Sequence, residues 1–267
     1  MTVNVQTAPV PSRPGSRDGK VSLEGMVSLI TGSTGGIGLG IARALAAAGS
    51  AVVINGFGRP EDIAEARLRI MADFHVETRY SPADMSSVGA IAGMIAMALD
   101  AFGRIDVLVN NAGLQHVASL PAFPPEKWDA ILAINLSSVF HTTRLVLPAM
   151  RQNGFGRIIN IASAHGLVAS PFQAACVAAE HGILGLTKVT ALEVAQDGIT
   201  CNAICAGHVG IASIEGEIEA EARARGGPNR KFVMAGELGT LAVFLAGEGA
   251  ASITGAALPV DGDRAAH

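Results

Sequence analysis

Short runs rich in β-branched and apolar residues alternate along this chain with longer stretches in which apolar positions return every three or four residues. The runs are Val27–Ile30, Ala51–Asn55, Thr78–Ser81, Val107–Asn110, Arg157–Ile161, Thr200–Ile204 and Ala257–Val260. The helical stretches begin near Ile37, Pro60, Val88, Pro125, Ser138, Cys176 and Gly236. A strand that is apolar along its whole length is covered on both faces, and strands separated by helices pair in parallel. The pattern predicts an α/β fold, a doubly wound parallel sheet of about seven strands with its ligand beyond their carboxyl ends. Residues 1–24 carry Pro9, Pro11, Pro14 and Gly15 and no periodicity, so they read as a flexible lead-in. Residues 25–267 read as one domain, with no internal repeat.

The first strand runs directly into Thr31-Gly32-Ser33-Thr34-Gly35-Gly36-Ile37-Gly38, which opens the first helix. A glycine-rich turn between a strand and a helix is the context of a dinucleotide site in a Rossmann fold. Gly32 permits the sharp turn, and Gly36 and Gly38 let backbone approach phosphate and helix approach strand. The helix N-terminus then presents N–H groups and a positive dipole end to a pyrophosphate.

Composition narrows the partners. Hydrophobic residues make up 49% and charged residues 16%, enough for a large core, and the net charge of -4 comes with no basic stripe. Nucleic acid is not expected as a partner. No apolar run reads as a membrane span and no signal peptide is legible, so a cytoplasmic protein is expected. The three cysteines, Cys176, Cys201 and Cys205, are too few for a disulfide framework and lack the companions of a metal site. They read as buried thiols, and no metal is expected.

The motifs together resemble the short-chain dehydrogenase/reductase family over nearly everything after residue 24. Thr31 to Gly38 is similar to its cofactor turn, and Asn110-Asn111-Ala112-Gly113 to its fourth-strand motif. Asn135 and Ser163 stand at the family's helix asparagine and catalytic serine. Asp84 stands at the aspartate that contacts adenine. Closer still is the resemblance to bacterial D-3-hydroxybutyrate dehydrogenases, carried by Asn55-Gly56-Phe57-Gly58, Leu114-Gln115-His116-Val117, the segment Phe123 to Trp128, and Ala162 to Phe172. The resemblance implies cofactor contacts from Thr31, Gly32, Gly36, Ile37, Gly38, Phe57, Asp84, Asn111 and Gly113. It implies a small-molecule pocket lined by Gln115, His165, Gln173 and His208. It implies NAD as cofactor, while Arg59 after the second strand leaves NADP open. The apolar stripes of Phe140–Met150 and Val177–Val194 imply a dimer or tetramer of identical chains.

One departure changes the chemistry. The family's proton transfer rests on Tyr-x-x-x-Lys, spaced one helical turn apart so that both side chains share a face. Here Cys176 and Glu180 occupy those positions. A thiol is much shorter than a phenol, and a carboxylate beside it raises its pKa where a lysine would lower it. Gln173 stands where the hydroxybutyrate enzymes carry a lysine, and Ala206-Gly207-His208-Val209-Gly210-Ile211-Ala212 replaces their Pro-Gly-Tyr-Val-x-Thr-Pro. The segment Ser213 to Arg230 reads as a shortened lid, and Asp263 replaces a glycine. The differences gather at the nicotinamide and substrate end. The expectation is a protein that binds NAD(H), more weakly than its relatives, without ordinary redox catalysis. Two alternatives stay open: hydrolytic or elimination chemistry using Ser163, Cys176 or Glu180, and an active hydroxy-acid oxidoreductase with another proton donor.

Overall fold

The computed structural model describes residues 16–17, 20–209, 233–262 and 265. Seven strands form one parallel sheet: β1 (Val27–Ile30), β2 (Ala51–Asn55), β3 (Thr78–Ser81), β4 (Val107–Asn110), β5 (Gly156–Ser163), β6 (Ile199–Ala206) and β7 (Ala257–Val260). Their order across the sheet is β3-β2-β1-β4-β5-β6-β7, so the chain reverses direction of travel between β1 and β4. That is the switch point at which a doubly wound sheet opens its ligand crevice. The helices are α1 (Gly36–Ala47), α2 (Pro60–Phe74), α3 (Val88–Phe102), α4 (Pro125–Ile131), α5 (Ser138–Asn153), α6 (Ala174–Glu193) and α7 (Ala235–Ala246).

The continuous apolar runs are explained by what covers each face. On one side Ile30, Ile54, Val109, Ile159 and Ile204 pack with Ile41 and Leu45 of α1 and Leu238 and Leu245 of α7. On the other, Leu29, Val53, Leu108 and Ile158 pack with Ile91 and Ile95 of α3 and Val146 and Met150 of α5. Successive residues of one strand thus enter opposite cores, as the two-residue period requires.

β5 and β6 each run two residues further at their carboxyl ends than the apolar pattern shows. Their pairing continues to Ser163 opposite Ala206. This extension carries Ser163 out to the sheet edge, over the crevice.

Two polar features cross the core. Thr142 of α5 donates to Asn110 Oδ1 at 2.6 Å, Asn110 Nδ2 to Asn160 Oδ1 at 2.9 Å, and Asn160 Nδ2 to Thr187 Oγ1 of α6 at 2.9 Å. Each group has a partner, so this ladder ties both helices to the sheet without an orphaned donor. Asp106, fully buried, accepts from Val27 N at 2.8 Å and from Arg104 Nε at 2.7 Å. Asp106→Ala is expected to cost about 3–5 kcal/mol, because it strands a largely buried guanidinium and the Val27 N–H. Chemical denaturation measures it; a loss under 1 kcal/mol, roughly the surface-pair range, contradicts this reading.

The described residues change two expectations. The lead-in does not reach residue 24, since Leu23 is fully buried and its N–H donates to Ala48 O at 2.7 Å. Residues Ser16–Arg17 and Lys20–Val21 also pair as a short antiparallel ribbon. Secondly, a π-helical turn over Leu132–Ser137 joins α4 to α5, making one helical run, Pro125–Asn153, long and apolar enough by length and composition to cross a bilayer. Ile131, Val139, Val146 and Met150 of this run are buried in the fold, while Phe140 is exposed.

Candidate functional site

The nucleotide turn is built as its glycines require. Gly32 has φ +61°, and a Cβ there would lie 2.8 Å from Ala112 Cα. A Cβ on Gly38 would lie 2.3 Å from Gly32 O and 2.5 Å from Asn111 Nδ2, a distance no side chain tolerates. Around the turn the hydrogen bonds are reciprocal. Thr31 Oγ1 accepts from the N–H groups of Asn111 (2.9 Å) and Ala112 (3.0 Å), while Asn111 Nδ2 donates to Thr31 O (2.9 Å) and Gly32 O (2.8 Å). The fourth-strand motif is therefore a clamp on the first turn. Gly36 has φ +54° and, with Ile37, opens α1.

No side chain caps α1, whose N-cap is Gly35 in an extended conformation. A Cβ on Gly35 meets nothing within 4 Å. Open space, uncapped N–H groups and the helix dipole meet there, an arrangement that fits a pyrophosphate. The groups expected around an adenosine lie on the same rim. Asp84 is exposed, with Oδ1 accepting from Ser86 N and Ser86 Oγ, both at 2.8 Å, which hold its carboxyl below the usual range. Phe57 is 67% exposed, and its carbonyl accepts from Thr34 Oγ1 at 2.8 Å. Arg59 forms a two-pronged pair with Asp62 in the first turn of α2, at 2.8 and 2.7 Å. That pairing occupies the fork a 2′-phosphate would use.

Asn55 was not singled out by itself in the sequence, yet it organises this end. Its Oδ1 accepts from Gly32 N at 3.2 Å, and its Nδ2 donates to Ser81 O (3.1 Å) and Ala83 O (2.9 Å). It is fully buried. A polar residue closing an apolar strand was the available signal, since a buried amide must be satisfied locally.

At the other end of the crevice, Asn135 lies inside the π-helical turn, a distortion that recurs at functional sites. Its amide grips one residue from both sides: Leu114 N donates to Oδ1 at 2.8 Å, and Nδ2 donates to Leu114 O at 3.0 Å. Gly113 sits against that amide, its Cβ position 3.6 Å from Asn135 Nδ2. Cys176 Sγ lies 3.8 Å from the same Leu114 carbonyl and is buried among Ile131, Ala175 and Ala179. Burial pushes the Cys176 thiol up; a backbone hydrogen bond at His116 pulls it down, and the charge of Glu180 raises it further.

Glu180 turns inward. Its Oε2 accepts from Ser163 N at 2.9 Å, and burial pushes its carboxyl up to about 7 despite that hydrogen bond. Ser163 Oγ accepts from His165 N at 3.2 Å. Ser163 is thus joined to Glu180 by a hydrogen bond, and Asn135 and Cys176 meet at the Leu114 carbonyl. The pocket residues divide: His165 and Gln173 are buried, His208 is half-buried, and Gln115 is exposed. Phe172, just before Gln173, adopts φ +66°, which costs a side-chain-bearing residue on the order of 1–3 kcal/mol. Its carbonyl accepts from Ala118 N at 2.9 Å, so the loop before α6 is tied to the loop after β4. Val209 pairs with Val233, so both ends of the segment between them stand beside the site. The proposed lid at Ser213 to Arg230, and Asp263, lie outside the described residues.

The cysteines are all free and buried. Among the described residues no three His, Cys, Asp or Glu side chains come together as a metal set. His181, next to Glu180 on α6, is exposed with Nδ1 2.9 Å from Val177 O.

Comparison with known proteins matches residues 26–222 to the family described as short chain dehydrogenase. The D-beta-hydroxybutyrate dehydrogenase of Cupriavidus necator is 51% identical over 254 residues, covering 90% of this chain and 98% of that protein. The protein of the same name from Rhizobium meliloti is 49% identical over 249 residues, covering 88% and 96%. The crystal structure of levodione reductase superposes with a TM-score of 0.85 at 28% identity, covering 91% and 98%.

Proposed function

This chain belongs to the short-chain dehydrogenase family, and we propose that it binds NAD(H) without the ordinary hydroxy-acid dehydrogenation suggested by its relatives' names. The observation that carries this reading is the α6 pair. Cys176 is a buried thiol whose proton is held more tightly than usual, and Glu180 points its carboxylate at the Ser163 N–H. Neither supplies a phenol's reach or a cation at the crevice.

When bound, a nicotinamide supplies the hydride acceptor or donor. The chain's own residues would hold the pyrophosphate at Gly32–Gly38 and the α1 N-terminus, the adenosine near Asp84 and Phe57, and the remainder along Asn111, Gly113 and Ser163. The Arg59–Asp62 pairing favours NAD over NADP. Without a lysine on the nicotinamide ribose, affinity falls by on the order of 1.5–3 kcal/mol relative to an intact site. Thiol chemistry is the weaker reading, because the raised pKa of Cys176 works against a thiolate. The same reading takes the chain from Leu23 onward as one cytoplasmic domain handling a small molecule. It includes self-association through α5 and α6, whose outer faces leave Phe140, Val189 and Leu192 exposed.

Calorimetric titration with NAD+ and NADH at millimolar concentration tests the binding half. A saturable isotherm for either dinucleotide is expected. No heat and no saturation with both removes the proposal.

A further inference from the structure

We infer that Glu180 makes this site selective for the oxidised, cationic form of the nicotinamide over the neutral reduced form, resting on the reading that the chain binds NAD(H). The dinucleotide turn lies between β1 and α1, so the second half of a bound dinucleotide must extend along the carboxyl ends of β4, β5 and β6. The Glu180 carboxylate stands at that edge, held on the last residue of β5 by the Ser163 N–H at 2.9 Å. Among the described residues it has no ion-pair partner. Its charge reaches two thiols on different elements, raising both Cys176 on α6 and Cys205 on β6.

A carboxylate in a partly dry crevice attracts a pyridinium and gains nothing from a neutral dihydropyridine. The two redox forms differ by that ring charge. A lysine in the same place would act in the opposite direction, opposing the cationic ring. The group is also poised to titrate: its carboxyl is pushed up to about 7 by burial. The titratable groups it acts on are Cys176 on its own helix and Cys205 on β6, with Asp261 beyond Cys205 after β7, and the turn packed on α6 carries His165. The thiols stay protonated near neutrality, since burial holds Cys205 at about 11 and Cys176 above its usual range.

The sign follows from linkage. Bound NAD+ stabilises ionised Glu180 and lowers its pKa, so binding releases protons and tightens as pH rises through about 7. Bound NADH has no such preference. The ratio of the NADH to the NAD+ dissociation constant therefore grows with pH and levels off once Glu180 is ionised.

The test is calorimetry of the full-length protein with NAD+ and with NADH from roughly pH 6 to pH 8.5, on wild type and Glu180→Gln. The amide keeps an oxygen for the Ser163 N–H. Titrations are repeated in two buffers of different ionisation heat to count protons. The ratio is expected to rise on the order of tenfold across this range in wild type and to stay flat in the variant. Proton release should accompany NAD+ binding alone, a readout that needs only wild type if the variant does not fold. Binding of both forms with a pH-independent ratio, or equal proton release, overturns the inference and leaves the binding proposal standing. Failure to bind either form overturns both.

Discussion

Oxidation of D-3-hydroxybutyrate by this protein is expected to stay near the protein-free background, at least roughly 10²–10⁴-fold below the Cupriavidus necator relative assayed beside it, the range a positioned proton donor alone ordinarily supplies. The loss begins at the proton donor. In the family's arrangement a phenol hydroxyl reaches the substrate oxygen and a nearby cation lowers its pKa. Cys176 is several bonds shorter, and its Sγ sits 3.8 Å from the Leu114 carbonyl, on the protein side of the crevice. Glu180 adds negative charge beside the thiol rather than removing it. Raising the pH gives no rescue, because ionising Glu180 above about 7 disfavours the thiolate further. Rates should stay near background from roughly pH 6 to pH 9. The double variant Cys176→Tyr with Glu180→Lys should recover little, since Gln173 and the residues after Ala206 also depart from the hydroxybutyrate pattern. These losses act on one step and do not multiply. Robust turnover of any short 3-hydroxy acid by wild type would contradict this and direct attention to His165 and His208 as proton donors.

Gly38→Val has the second large effect, and it falls on the other end of the crevice. The first added carbon alone would stand 2.3 Å from Gly32 O, 2.5 Å from Asn111 Nδ2 and 2.8 Å from Ser33 Cα. Two of those three atoms are backbone, so the turn itself must open. Opening it breaks the Asn111 hydrogen bonds to Thr31 O and Gly32 O that hold the clamp. Overpacking of this kind costs about 1–3 kcal/mol in stability. The cost in dinucleotide affinity should be larger, at least on the order of tenfold, because the pyrophosphate is read by backbone in that turn. Thermal melts and NADH fluorescence titrations on the same samples separate the two quantities. Unchanged affinity in a folded variant would show that the turn does not hold the nucleotide.

Much of the fold was legible because a strand buried on both faces must be apolar throughout. Residues such as Leu29 and Ile30, adjacent in the chain, enter opposite cores, so most strands stay apolar at neighbouring positions and only a few buried polar residues, such as Ser28 and Asn160, interrupt the runs. The turn at 31–38 was legible because close approach leaves glycine no substitute. Cys176 and Glu180 were singled out by the family resemblance, and their helical spacing put them on one face of α6. Their orientation was not legible. That the Glu180 carboxylate is held at the crevice edge by the Ser163 N–H depends on which backbone N–H the end of β5 exposes, and that depends on the strand running to Ser163. Asn55 escaped notice for a related reason, since its three partners come from the turn after β1, from β3 and from the loop after β3. The π-helical turn around Asn135 leaves no mark in periodicity, because one extra residue per turn shifts the pattern by less than a strand or helix boundary does. Leu23 was lost in a proline-rich context whose composition says nothing about a single buried side chain.

The most direct measurement separates cofactor binding from chemistry in one sample. Protein in excess over NAD+, at concentrations where calorimetry shows the dinucleotide bound, is mixed with saturating D-3-hydroxybutyrate, quenched over seconds to hours, and assayed for acetoacetate and NADH. Bound NAD+ with neither product above the protein-free control is the expected result. Formation of one equivalent of both products within seconds would contradict it.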